Sequence, residues 1–239
     1  MTVTSDPMTT SLASPDKATI RNIFDQIAFR YDQINSLLSF SLDENWRKQS
    51  SRIILKGIQA KTVLDLGVGT GKFLRRFLDL QTWDQAVGAD FSGEMLVRAR
   101  KNLAAGDLIQ ADIHDLPFAD ESFDLIVSSF ALRSVKDRRH FFKEVSRVLK
   151  PGGRAAFLCL TRPTSFFGKM LYFPYLKFYL PLMGGLIAKS QMAYQFLSQS
   201  IQAFPPPQEI GNEILVSGFQ TFSLFPFTFG ISTLTLAQK

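Results

Sequence analysis

The most restrictive feature of this sequence is a short apolar run holding one acid, followed by three glycines at alternate positions and an amphipathic run: VLDLGVGTGKF, Val63 to Phe73. Its aliphatic residues predict a strand over Thr62 to Leu66, and Lys72 to Leu80 has helical spacing. Gly67, Gly69 and Gly71 let the chain turn through positive φ and bring backbone amides close to a ligand at the helix start. A strand delivered into a helix by such a turn belongs to a parallel sheet covered by helices.

The chain repeats that rhythm. Further strand candidates are Gln85 to Ala89, Leu108 to Ala111, Phe123 to Ser129 and Ala155 to Leu160. Between them lie helix candidates Ser92 to Leu103, with Ser92 as N-cap, and Arg138 to Leu149, closed by Pro151-Gly152-Gly153. Upstream, Asp16 to Arg30 carries apolar residues at helical spacing, and a second helical run surrounds Trp46 to Leu55. After Thr161 come an aromatic, proline-punctuated stretch, a helix over Gln191 to Gln202, the breaker Pro205-Pro206-Pro207 and a helix over Pro207 to Ser217. Two strands around Phe219 to Phe225 and Gly230 to Leu236, with no helix between them, predict an antiparallel hairpin at the sheet edge. The expected organisation is a disordered leader over 1–15 and one domain over 16–239. That domain divides into N-terminal helices (16–58), a ligand-binding core (59–161), a lid segment (162–206) and a C-terminal helix and hairpin (207–239).

Composition narrows the setting. The single cysteine, Cys159, excludes an intramolecular disulfide and a Cys-based zinc cluster, which suits a reducing, cytoplasmic compartment. The N-terminus lacks the basic start and apolar run of a signal peptide. Phe166 to Ala188 approaches transmembrane length, but Lys169, Pro174, Lys177 and Pro181 interrupt it, so it is expected to touch a membrane rather than cross one. A net charge of +6 decides little by sign alone, whereas 23 phenylalanines must be buried or shown to something greasy.

Two ligand classes use a glycine-rich turn after the first strand. The dinucleotide fingerprint is GxGxxG, sized for a pyrophosphate. Here the spacing is GxGxG, and Asp65 precedes it. A carboxylate there opposes a pyrophosphate and suits a ligand with an ammonium group, such as S-adenosylmethionine. Asp90 ends the second strand candidate, where an acid can accept from ribose hydroxyls; both ligand classes use such an acid. Asp112 follows the third strand, placed to accept an adenine amine while Ile113 packs on the ring. A single strand-end aspartate is most often a cap or a solvated turn. Three in register with one glycine turn favour a nucleoside site.

VLDLGVGTG, the acidic end of the second strand, ADIHDLPF, FDLIVSSFALRSV and VLKPGGR, in this order, are similar to the class I S-adenosylmethionine-dependent methyltransferases. FDQIAFRYDQINSLLSFSLDENWRK resembles the N-terminal signature of the ubiquinone/menaquinone biosynthesis C-methyltransferases, and LPLMGGLIA and YQFLSQSI resemble that family's lid segment. The resemblance implies a Rossmann-like class I methyltransferase fold: an α/β, mostly parallel seven-stranded sheet with an antiparallel C-terminal edge hairpin, N-terminal helices and an aromatic helical lid. It implies S-adenosyl-L-methionine as cofactor, with contacts at Thr70, Asp90, Asp112, Ile113 and Ser129. Asp65, Gly67, Gly69, Gly71 and Phe91 complete the expected set. Tyr31 and Asp32 sit where the family's helix-borne lid closes; helix-end packing is the alternative.

Methyl transfer from a sulfonium needs an acceptor held in line and water kept out, not a nucleophilic side chain. For a quinol carbon, a cation near the phenolic oxygen favours the ionised, electron-rich form. Arg133 is the catalytic candidate, by that chemistry and by the resemblance, either holding the phenolate or orienting water; the alternative is a surface arginine beside Lys136, Arg138 and Arg139. Ala131, Ser134 and Cys159 depart from the family's Gly, Asn and Glu, all on the acceptor side. His114 and His140 are the only histidines, and no metal site is expected. The stretch Arg162 to Pro206 holds basic and aromatic residues and no acid, which suits an anionic membrane surface and a polyprenyl tail. The expected partners are therefore a prenylated quinol, transiently the inner membrane face, and no nucleic acid, with a homodimer open. Competing readings are a methyltransferase of another hydrophobic metabolite or an RNA base, and a cofactor binder without turnover.

Overall fold

The computed structural model describes residues 25, 31–163, 166–174, 200, 201 and 203–239. Its elements are α1 (Tyr31–Leu38), α2 (Leu42–Leu55), β1 (Thr62–Leu66), α3 (Lys72–Leu78), β2 (Gln85–Asp90), α4 (Gly93–Asn102), β3 (Asp107–Gln110) and β4 (Phe123–Ser129). They continue with α5 (Arg138–Val148), β5 (Leu149–Leu160), α6 (Phe166–Pro174), α7 (Pro207–Leu215), β6 (Thr221–Phe227) and β7 (Ser232–Gln238). Short 3-10 turns occupy Leu132–Ser134 and Thr228–Gly230. One sheet holds all seven strands in the order β3-β2-β1-β4-β5-β7-β6. β1 to β5 pair in parallel, and β7 runs antiparallel to both β5 and β6. This is the Rossmann-like class I methyltransferase arrangement, edge hairpin included.

The period of two along each strand sorts side chains onto two helical layers. Leu64, Leu66, Ile126, Ala155 and Phe157 face α5 and α7, whose Phe141, Phe142, Val145, Ile210 and Ile214 complete one core. Val63, Leu125, Val127, Ala156 and Leu158 face α2 and α3, packing with Trp46, Ile54, Phe73 and Phe77. By this alternation Asp65 belongs with Val63, on the face that α2 and α3 cover. Strand order reverses beside β1, since β2 and β4 flank it, and crevices for ligands open at the carboxyl ends of strands at such a switch point.

Several boundaries differ from the sequence expectation for identifiable reasons. The break expected at Pro151-Gly152-Gly153 is instead inside β5, which starts at Leu149 and pairs with Phe123 before the register shifts by Leu125; the irregularity absorbs the proline and glycines. Both hairpin strands begin two residues later than expected, a shift that preserves which side chains face inward. Pro226 is tolerated within β6 because β6 is the edge strand. α2 gains a turn before Trp46 because Ser39 binds the start of the helix, its hydroxyl donating to the Asp43 carboxylate at 2.7 Å. Ser92 caps α4 as expected, accepting from the Met95 amide. The helices expected over Asp16 to Arg30 and Gln191 to Gln202 lie largely outside the described residues. Among the described residues no helix is long and apolar enough to cross a membrane.

Asp124 ties three strands together at the end of the sheet opposite the crevice. Its carboxylate accepts from the Lys61 and Thr62 amides, both at 2.9 Å, from the Thr62 hydroxyl and from Lys150 Nζ at 2.8 Å. Partial burial pushes its pKa upward, but Lys150 and the amides outweigh that and bring it down to about 2. A depressed pKa contributes stability above the unfolded value that is lost as pH falls through the folded one. Asp124→Asn is expected to lower the unfolding free energy by about 2 kcal/mol at pH 7 and to flatten the acid limb between about pH 4 and 2, read by urea unfolding across pH.

Candidate active site

The switch point opens into a cleft of about 850 Å³, its mouth included, a size suited to a nucleoside-scale ligand. Its floor is the glycine turn. The Gly67 and Val68 amides donate to the Ala89 carbonyl at 2.8 and 3.0 Å, locking the turn to the end of β2. Gly67, Gly69 and Gly71 take φ of 69°, 53° and 85°, the region that a Cβ disfavours. Asp90 then holds the two sides of the cleft together. One carboxylate oxygen accepts from the Gly69 amide at 2.8 Å and the other from the Ser92 amide at 2.9 Å. Burial pushes the Asp90 pKa up, and the Ser92, Gly69 and Phe91 amides counter only part of that shift. Each oxygen keeps a further lone pair for a ligand hydroxyl.

Seven of the expected residues line this cleft: Gly67, Gly69, Asp90, Phe91, Asp112, Ile113 and Ser129. Asp112 is exposed on the loop after β3, where its carboxylate accepts from the His114 amide and lies 2.9 Å from His114 Nδ1. α5 pins this loop: Glu144 accepts from the Leu116 amide at 2.8 Å, and Arg147 donates to the Leu116 and Phe118 carbonyls. Met95, His114, Phe130, Ala131, Ser134 and Val135 complete the lining. Met95, Phe130 and Val135 were not singled out by the sequence. Met95 was readable as the residue one turn beyond the Ser92 cap, whereas Phe130 is aimed by its left-handed backbone, φ 61°, which sequence does not advertise.

Four expected residues lie outside the lining. Thr70 donates through its hydroxyl to Asp32 at 2.8 Å, and Lys72 lies 3.5 Å from the same oxygen, so α1 is clipped onto the glycine turn. Gly71 packs against Leu103, whose Cγ would lie 2.9 Å from an added Cβ. Asp65 is 1% exposed, and neither carboxylate oxygen has a hydrogen bond of ordinary geometry. Burial pushes its pKa well above the usual carboxylate range, against which the nearby Leu74 amide and the charge of Arg47 act only in part. Arg133 sits in the turn after β4, and its Nη1 donates to the Ser200 hydroxyl at 2.8 Å. Its positive charge acts on Cys159 and Tyr172, both buried and both pushed up to about 12 by burial, so both groups are neutral at physiological pH. Arg133 thus faces β5 and α6 rather than the cluster of Lys136, Arg138 and Arg139.

A model of the ubiE/COQ5 methyltransferase family matches residues 12–239. The chain belongs to that family. It is 39% identical over 212 residues to a demethylmenaquinone methyltransferase of Thermotoga maritima, covering 88% of this chain and 91% of that one. It is 34% identical over 226 residues to a demethylmenaquinone methyltransferase of Bacillus cereus, covering 92% and 95%. Among solved structures, a SAM-dependent methyltransferase of Thermotoga maritima matches with a TM-score of 0.66 at 20% identity, over 91% of this chain and 99% of that one. An S-adenosyl-L-methionine-dependent methyltransferase of Methanococcus maripaludis matches with a TM-score of 0.65 at 20% identity, over 96% and 97%. These two establish the fold.

Ala131 bears directly on the glycine turn. A Cβ on Gly67 would lie 2.5 Å from the Ala131 Cβ, so the methyl at 131 already fills the space above the turn. Gly67→Ala is expected to lose several kcal/mol, combining a left-handed backbone penalty of about 1–2 kcal/mol with the clash. The double variant Gly67→Ala/Ala131→Gly should recover the clash and keep the backbone penalty. Urea unfolding of both singles and the double measures the coupling.

Proposed function

We propose that the protein is an S-adenosylmethionine-dependent C-methyltransferase acting on a prenylated quinol, demethylmenaquinol in the first instance, with the ubiquinone-pathway benzoquinol as the related acceptor. The observation that carries the donor assignment is the chemistry of the cleft: among the described residues its lining presents the carboxylates of Asp90 and Asp112 and no Lys or Arg. Such a wall repels a pyrophosphate and accepts a cationic nucleoside. The names borne by the relatives at 39% and 34% identity support the acceptor.

In this reading Asp90 accepts from the ribose hydroxyls while its bonds to Gly69 and Ser92 hold it in place. Asp112 accepts the adenine amine, and Ile113 and Phe91 pack on the flat faces of the nucleoside. Ser129, at the end of β4, marks the boundary between donor and acceptor. The donor supplies an electrophilic methyl on a cationic sulfur, and its positive charge suits the acidic cleft. The protein's share of the reaction is to align the acceptor carbon and exclude water. Arg133 stabilises the acceptor's phenolate, because a guanidinium keeps its own proton and lowers the cost of removing one from the phenol. Ser134 offers a hydroxyl on the same side, where the family carries an amide. Arg162 and Lys169, both exposed at the edge of α6, with Met170 exposed beside them, would rest on an anionic membrane surface and let the prenyl tail enter. The remaining rings of the aromatic stretch expected to form the lid lie outside the described residues.

Incubation with labelled S-adenosylmethionine and lipid extract lacking the quinone methyl should yield a labelled, prenylated quinone identified by mass. Asp90→Ala is expected to abolish donor binding by calorimetry. Arg133→Ala should bind the donor as the parent does and turn over about a hundredfold more slowly. Undiminished affinity in the Asp90 variant would show that the donor sits elsewhere.

A further inference from the structure

Among the described residues, the exposed phenylalanines are Phe40 and Phe229, at 62% and 61%. Both stand at chain corners with left-handed backbone. Phe40 and Ser41, between α1 and α2, have φ of 52° and 60°, and Thr228 and Phe229, between β6 and β7, have φ of 47° and 58°. None of the four is a glycine, and a bulky ring suits that conformation poorly. Strained residues of this kind cluster at functional sites.

The two corners share one end of the molecule. Leu160, the last residue of β5, pairs with Ser232, the first of β7, so the turn holding Phe229 lies beyond the carboxyl end of β5. α2 points the same way: Arg154, early in β5, donates to the Ile54 and Lys56 carbonyls at the far end of that helix, whereas Arg47 near its start lies over Phe130, just past the end of β4. Phe40, ahead of the helix, is thus carried to the edge at which the cleft opens. Trp46 Nε1 donates to Thr228 Oγ1 at 2.9 Å and ties one corner to the other. α6 lies against the Phe229 turn and brings Met170, with Lys169 and Arg162, all exposed. The acids in the first turns of α1 and α2 face other cations, Asp32 with Lys72, Asp43 with Arg47 and Glu44 with Arg76, so they do not offset Arg162 and Lys169.

A protein partner needs a surface fitted to it. A bilayer takes separate rings at the boundary of headgroup and acyl chain, and cations among anionic headgroups. We propose that Phe40 and Phe229 insert into the interfacial layer of an anionic bilayer, with Met170 beside them and Arg162 and Lys169 on the headgroups, so that the mouth of the cleft is seated on the membrane. This rests on the membrane contact proposed above for α6 and adds to it two anchors from other elements.

The test is flotation of the full chain with vesicles of phosphatidylcholine and phosphatidylglycerol in equal parts, and with vesicles of phosphatidylcholine alone. Asparagine tolerates left-handed backbone better than phenylalanine, so Phe40→Asn and Phe229→Asn remove each ring without straining the fold further. Each should weaken binding to the mixed vesicles about fivefold, and the double variant more than tenfold, with a thermal midpoint no lower than the parent's. Lys169→Gln should weaken binding to the mixed vesicles and leave binding to phosphatidylcholine alone unchanged. Parent binding that neither asparagine variant weakens would overturn the anchors and leave the contact through α6 standing. A parent that floats with neither vesicle would overturn that contact and the anchors together, and would leave the methyl-transfer reading untouched, since no acceptor is present. Solution dimers that the asparagine variants abolish, with vesicle binding unaltered, would assign the rings to a second copy of the chain and overturn the proposal.

Discussion

The carboxylate of Asp90, bridging the Gly69 amide on one side and the Ser92 amide on the other, is the contact on which the rest of the site depends. It joins the turn after β1 to the start of α4, so the two halves of the cleft are set relative to each other by one buried group. The same bridge leaves spare lone pairs pointing at the cleft, since two amides occupy only half of a carboxylate's acceptor capacity. The group that holds the cleft in shape is also one of the groups that line it. Replacing it therefore removes more than a lining group, because it also unties the Gly69 amide of a turn that takes positive φ at three positions from the start of α4.

How much of this was legible depended on whether the information was local. The glycine turn, the Ser92 cap and the parallel core strands follow from period and turn chemistry, which are properties of a few adjacent residues. Asp90, Asp112 and Ile113 could be placed because strand ends in a parallel sheet converge on one edge. The long β5 was missed because Pro151-Gly152-Gly153 reads as a terminator, and only the pairing of Leu149 with Phe123 shows that the strand continues across it. Phe130 and the Thr70–Asp32 clip were missed for a related reason: they rest on a left-handed residue and on contact between segments far apart in sequence. The inward face of α2 did carry a signal. Asp43, Arg47 and Ser50 share helical spacing with Trp46 and Ile54, and polar residues on an apolar stripe are informative when they recur.

The two ends of the expected site differ in kind. The glycine turn and Asp90 are fixed by backbone amides and strand ends, whereas Arg133 reaches toward Ser200, Cys159 and Tyr172 through a long side chain. Cys159 on β5 is a neutral, buried thiol, so it brings no anion to the neighbourhood of Arg133. Ser134, in the same turn as Arg133, lines the cleft itself with a neutral hydroxyl.

Asp65 shows what such a fold keeps at a cost. It lies on the sheet face that α2 and α3 cover, 1% exposed, and burial pushes its pKa well above the usual carboxylate range, against which the Leu74 amide and the charge of Arg47 act only in part. An apolar residue there would serve the core without that cost, so packing alone does not account for a carboxyl at the end of β1. A surface carboxylate is ionised and hydrated from the outset and gains little from an opposite charge brought beside it, whereas a buried one is far more sensitive to what stands next to it.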